Sequence, residues 1–131
     1  ASLADETGQA LVRSAIEALA MVAKAGQVVA GFAKVEEALL RRQATALLHA
    51  ADGAADGIRK LDAIVRKTAA DSGETRDIPV ITVLASAELD LALGRSNVIH
   101  AALLAGPASG TFLSRSQILV RYRDGGRRQD S

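Results

Sequence analysis

From about Glu6 to Ala25 the apolar residues Leu11, Ala15, Leu19 and Val22 recur at three- to four-residue spacing, one face of a helix, and Gly26 follows as a residue suited to closing it. The period changes at Gln27–Ala30, a short β-branched run of strand length. Gly31 then turns the chain into a second helical stretch in which Val35, Ala38 and Leu39 share a face. Thr45–Ala50 is continuously apolar, as a strand covered on both faces would be. Asp52 stands where it can cap a third helix with Ile58, Leu61, Ile64 and Val65 inward and Arg59, Lys60, Arg66 and Lys67 outward. The small and charged cluster DSGETRD, residues 71–77, predicts an exposed loop.

Ile78–Leu84 reads as the clearest strand, with Pro79 tolerable only at its beginning. Ser86 is placed to cap a helix through Leu93 that Gly94 ends, and Asn97–Ala101 reads as the last strand. GPASG opens a final helix on which Phe112, Leu119 and Tyr122 share a face, and the chain closes on RDGGRRQDS, whose composition predicts a flexible tail. The order αβαβαβαβα predicts an α/β fold: a three-layer α/β/α sandwich around a mixed, mostly four-stranded sheet, with one domain over 1–123 and a basic tail over 124–131.

Composition narrows the core and the compartment. At 131 residues the chain is one ordinary domain, and with 49% hydrophobic but only 2% aromatic residues its core must be built from Ala, Leu, Val and Ile. The absence of cysteine excludes disulfides and thiolate metal sites and fits a reducing compartment, so a cytoplasmic protein is expected. No apolar run is long enough to span a bilayer, and the opening ASLADETGQ lacks the layout of a signal peptide, so no membrane partner is expected. The net charge of +1 hides an asymmetry: residues 115–131 hold five arginines against Asp124 and Asp130, which leaves −2 on the rest of the chain. Charge by itself does not announce a nucleic-acid binder.

Few residues offer chemistry. His49 and His100 both fall in predicted strands, and neither has an acid or a hydroxyl at a spacing that suggests a catalytic pair, so both read as packed histidines. Two histidines without cysteine do not fill a zinc site, and no metal or cofactor is expected. Neither AGQVVAG nor ADGAADG has the spacing of a nucleotide loop. Gly53 and Gly57 could expose backbone N–H groups to a phosphate, but a plain helix start beside Asp52 explains them as well, and Asp52 and Asp56 lack the alternation of a calcium loop. Ligands of open α/β sheets sit beyond the carboxyl ends of strands, which here are Gly31–Lys34, Ala51–Gly53 and Ala85–Glu88. Lys34, with Lys24, Arg59 and Lys60, could meet phosphates there, while Glu36, Glu37 and Glu88 dilute the field.

Three segments in order, AGQVVAGFAKVEEALLRRQATALLHAAD, IPVITVLASAELDLALG and NVIHAALLAGPASGTFL, resemble the kink-turn-binding ribosomal protein superfamily. The resemblance is nearest to the carboxy-terminal domain of YlxR-type RNA-binding proteins and spans about Leu19–Tyr122. It implies an α/β/α sandwich that meets RNA through the loop before the second helix and the loop after the third strand: Gly31, Phe32, Ala33, Lys34 and Glu37, with Ala85, Ser86, Ala87 and Glu88. Nothing here resembles the cysteine-containing amino-terminal domain of YlxR-type proteins, so the chain reads as one domain of a longer protein. The family pattern Gly-Ala-Asn-Glu-x-x-Lys becomes Gly31, Phe32, Ala33, Lys34 and, at the lysine position, Glu37. Ala33 has no hydrogen-bonding side chain, Lys34 donates where the family's Glu accepts, and Glu37 repels phosphate.

The expected function is therefore a non-catalytic RNA-binding module that does not read a standard kink-turn. Its expected partners are ribosomal or other structured RNA and, beside it, ribosomal or translation proteins, with Phe32 a candidate stacking ring, although a phenylalanine at such a position is more often core than platform. Two other readings stay open: an assembly module that kept the fold and lost RNA affinity, or the recognition domain of an RNA-modifying enzyme.

Overall fold

Alternating helix-period and strand-period segments force a layered solution, because each strand needs a partner strand and each helix needs an apolar surface for its one apolar stripe. In the computed structural model, the backbone is described over residues 3–73 and 78–130 and the side chains over 6–73 and 78–125. The elements run α1 (Leu3–Lys24), β1 (Val28–Ala30), α2 (Phe32–Leu40), β2 (Ala44–His49), α3 (Ala55–Ser72), β3 (Val80–Ile81), α4 (Ser86–Leu93), β4 (His100–Leu104) and α5 (Pro107–Asp130). Among the described residues the sheet has four strands in the order β1-β4-β2-β3. β4 lies antiparallel to both β1 and β2, and β3 runs parallel to β2, so the sheet is mixed. The fold is the α/β sandwich that the element order predicts.

Period-two alternation sorts the central strands between two cores. Ala46 and Leu48 of β2 and Ala101 and Leu103 of β4 face Ala15, Leu19 and Val22 of α1, Leu89 and Ala92 of α4, and Phe112 and Leu119 of α5. On the other face Leu47 and Ala102 meet Val35, Ala38 and Leu39 of α2 and Leu61 and Val65 of α3. Alanine at Ala101 and Ala102 lets helices approach the interior strand β4 closely from both sides, as a chain with so few aromatic rings requires.

Several local expectations are corrected. The run Ile78–Leu84 pairs with β2 only at Val80 and Ile81. Val83 and Leu84 are apolar because they are buried in the core under α1, α4 and α5, while their carbonyls accept from the Arg123 guanidinium and the Ala51 N–H instead of a neighbouring strand. The last strand lies at His100–Leu104, not Asn97–Ala101, because the Asp90 carboxylate accepts the N–H groups of Asn97 and Val98 and holds them in a turn. Asp52 does not cap α3, whose N-cap is Ala54; its carboxylate accepts the Ser86 N–H across the loop. Ser86 does not cap α4 either. Ala85 holds that position, the Glu88 carboxylate accepts the Ala85 N–H, and the Ser86 hydroxyl donates to the Val98 carbonyl. At the carboxyl end the backbone stays helical to Asp130, so residues 124–130 continue α5. Side chains beyond 125, and the centre of the loop expected at 71–77, lie outside the described residues.

Candidate functional site

The carboxyl end of β1, the carboxyl end of β2 and the amino end of β4 meet at one edge of the sheet, because β4 runs against both neighbours. Backbone bonds close this edge: the Gly31 N–H donates to the His100 carbonyl at 3.0 Å and the Ala50 N–H to the Ile99 carbonyl at 2.8 Å. Gly31 sits at φ 96°, a conformation that favours glycine, and it starts α2 without any side-chain cap. The first-turn N–H groups of α2 are thus left for solvent or a ligand. Between these loops lies an open cavity of about 390 Å³ lined by Gly31, Phe32, Asp52, Gly53, Ala54, Gly57, Asn97, Ile99 and His100.

Beneath the cavity His49 and His100 form a cross-strand pair on the α2/α3 face, with Nδ1 atoms 2.9 Å apart and rings crossed at 87°. The far nitrogen of His49, Nε2, lies 2.8 Å from Oδ1 of Asp62 on α3. The His49 side chain is fully buried, whereas that of Asp62 keeps 30% of its surface. An ionised carboxylate only accepts, so His49 Nε2 donates to it; with both imidazoles neutral, His49 Nδ1 accepts and His100 Nδ1 donates. His100 Nε2 is left as a lone pair beside Gly57 at the cavity floor, where a Cβ on residue 57 would stand 2.7 Å from it. Burial first, and the neighbouring His49 second, push the His100 pKa below its ordinary value, and the charge of Asp62 opposes them. Phe32 stands edge-on to the His100 ring at 5.9 Å and is 36% exposed.

Of the residues expected to bind, Gly31 and Phe32 lie at this cavity and the others do not. Gly31 and Phe32 line the cavity together with Asp52 and Gly53, so two of the three expected loops converge. Ala33 and Lys34 are exposed in the first turn of α2 but do not line the cavity, and Glu37 is held by Arg41 at 3.2 Å on the surface. Ala85 to Glu88 remain outside the cavity; the Asp52–Ser86 hydrogen bond ties them to its wall, and Glu88 is engaged by Ala85. The basic carboxyl-terminal arm is partly committed to the fold, since Arg115 donates to the Ser14 carbonyl and Arg123 to that of Val83.

Reading the histidines one at a time missed what the sheet does with them. They are 51 residues apart, and their acid partner is 13 residues from His49 on another element, so no local spacing reports the cluster. The available signal was a pair of histidines, one in each of two apolar runs of strand length. Asn97 and Ile99 were likewise read as strand residues, yet they form one wall. Among the described residues no group of three or more His, Cys, Asp or Glu is arranged to hold a metal, and no helix is long and apolar enough to cross a membrane.

No protein-family model matches the sequence, and no curated protein does. Solved structures share the fold. A Bacillus halodurans protein of unknown function superposes with a TM-score of 0.65 at 19% identity, covering 79% of this chain and 96% of that one. A 15.5 kD RNA-binding protein from Giardia lamblia superposes at 0.59 with 17% identity, covering 86% of this chain and 89% of that one.

Proposed function

We propose that the chain is a non-catalytic RNA-binding module that receives structured RNA at the edge where β1, β2 and β4 meet. The observation that carries this reading is the cavity itself. An uncapped helix start offers backbone donors to a phosphate, Phe32 offers a partly exposed ring, and His100 offers a hydrogen-bonding floor. The likeness to the Giardia RNA-binding protein supports RNA as the ligand class. Placement in the cytoplasm, a link to ribosomes or translation, and kinship with YlxR-type proteins belong to the same proposal and rest on the sequence resemblance.

Ala33, Lys34 and Glu37 stand where the resembled family reads a kink-turn, so kink-selective recognition is not expected. Titrating a kink-turn RNA, an internal-loop RNA and a straight duplex at physiological and low salt tests the reading. Salt-dependent binding of structured RNA with little preference for the kink is expected. Nanomolar, kink-selective binding would return Gly31–Glu37 to the family's role, and absence of binding even at low salt would remove RNA as the ligand.

A protein-assembly role is favoured by one separate feature. An apolar groove of about 410 Å³ runs between β3, an outer strand of the sheet, and α5, with Val80 and Val120 exposed along it.

A further inference from the structure

We propose that Asp62, His49 and His100 form a proton relay that sets the hydrogen-bonding polarity of the cavity floor. In the neutral relay the protons lie on His49 Nε2, toward Asp62, and on His100 Nδ1, toward His49, so His100 Nε2 presents a lone pair to the cavity. In that state the floor selects a ligand N–H or O–H. When one proton arrives from solvent at His100 Nε2, the proton on His100 Nδ1 passes 2.9 Å to His49 Nδ1, and the positive charge comes to rest beside the Asp62 carboxylate. His100 Nε2 then carries hydrogen, and the floor selects an acceptor such as a carbonyl or phosphate oxygen. One proton thus inverts what the cavity recognises without moving a heavy atom. Burial and the neighbouring His49 lower the His100 pKa, which disfavours positive charge on His100 itself and favours its rest on His49.

The geometry that makes this a relay is built by separate elements. β2 and β4 place the imidazoles opposite each other in register, α3 supplies Asp62, and Gly57 on the same helix leaves room for His100 Nε2. Among the described residues no other protein group hydrogen-bonds His100 Nε2. The charges around the relay are few. Asp52 is the other ionisable residue on the cavity wall and accepts from the Ser86 N–H. On α3, Asp56 is engaged by Arg59 and Lys60, and on α2 Glu37 is engaged by Arg41, with Lys34 exposed and Glu36 half-buried. Asp62 is therefore the charge positioned to govern the proton.

Selection of the ligand by the floor rests on the RNA-binding reading; the relay itself does not. Long-range proton–nitrogen correlation spectra of the full chain, labelled at histidine, report which ring nitrogens carry hydrogen. At pH 7.5 the expected pattern is hydrogen on His49 Nε2 and His100 Nδ1 only. On acidification the pair should take up one proton in a single step, with His100 Nε2 gaining hydrogen as His100 Nδ1 loses it. Hydrogen on His100 Nε2 at pH 7.5, or two independent proton uptakes, would overturn the relay. Asp62→Asn, at a partly exposed position, should move the uptake to lower pH, and an unchanged midpoint would also overturn it. Adding the structured RNA that binds should shift the His100 Nε2 resonance; a bound RNA that leaves it unmoved refutes the selecting role. If no RNA binds, the free-protein spectra still decide the relay, and only the RNA-binding reading falls.

Discussion

The two faces of the sheet solve different problems with the same strands. Under α1, α4 and α5 the strands bury a core dominated by apolar side chains, with Phe112 the largest of the fully buried ones. Ser109 and Ser116 of α5 are buried too, bonded to the Leu104 and Phe112 carbonyls, and three helices cover this face. Under α2 and α3 the apolar core is smaller, and the same face of β2 and β4 that carries Leu47 and Ala102 ends in His49 and His100. Polar groups are tolerated there because each has a partner: the imidazoles bond each other, and Asp62 reaches the inner one. The thick face holds the larger apolar core and the thin face holds the buried histidine pair.

Truncation on the thick face should give the largest effect. Phe112→Ala removes a fully buried ring and is expected to cost about 3–5 kcal/mol, read from denaturant midpoints at unchanged m-value. A loss below about 1 kcal/mol would mean that the three-helix face is not where stability resides.

Gly57→Ala tests the thin face by crowding it. The new Cβ would lie 2.7 Å from His100 Nε2, so either the ring or the helix must move. The expected cost is about 1–3 kcal/mol, with loss of RNA binding at concentrations that saturate the parent chain. Full stability together with full binding would show that the imidazole is not held in place.

Phe32→Ala should separate binding from folding. Its ring is 36% exposed, so stability should change by about 1 kcal/mol or less, while RNA affinity should drop by the worth of one stacked base, about 1–3 kcal/mol. Unchanged affinity would assign Phe32 to supporting His100 rather than to the ligand.

The smallest expected effect is a slope. Because the folded His100 binds a proton less readily than the unfolded chain, whose histidine titrates near 6.5, the unfolded state takes up more protons as pH falls through that value. Stability contributed by His100 is therefore full above about pH 6.5 and is lost below it. Thermal midpoints between pH 7.5 and 5 should fall more steeply for the parent than for His100→Gln, and parallel curves would contradict the cause.

Local signals carried the element order a long way. Helical spacing at Leu11, Ala15, Leu19 and Val22 and at Val35, Ala38 and Leu39 predicted α1 and α2, and the burial of these residues follows it, apart from Leu11, which is half-buried. The same kind of signal overstated β3, since an apolar run reports burial and not strand pairing: Val83 and Leu84 are as dry as strand residues but have left the ladder. It misplaced β4 as well: Asn97 and Val98 are held outside the ladder by the Asp90 carboxylate, and the strand runs on through Ala102 to Leu104, where pairing on both sides makes it one. Of the residues expected to bind, Gly31 and Phe32 line the cavity, as do Asp52 and Gly53 of a second strand-end loop, while Ala33, Lys34, Glu37 and Ala85 to Glu88 do not, and the floor of the cavity went unread.

What the sequence determined by itself was the layered α/β architecture and the loops at the strand ends, because hydrophobic period and turn residues act over a few positions and need no knowledge of what lies across the sheet. What only the tertiary structure decided was the pairing of His49 with His100 and of His49 with Asp62. Those contacts join residues 51 and 13 positions apart, and they depend on strand order and on a register in which a slip of one residue would turn a histidine to the opposite face.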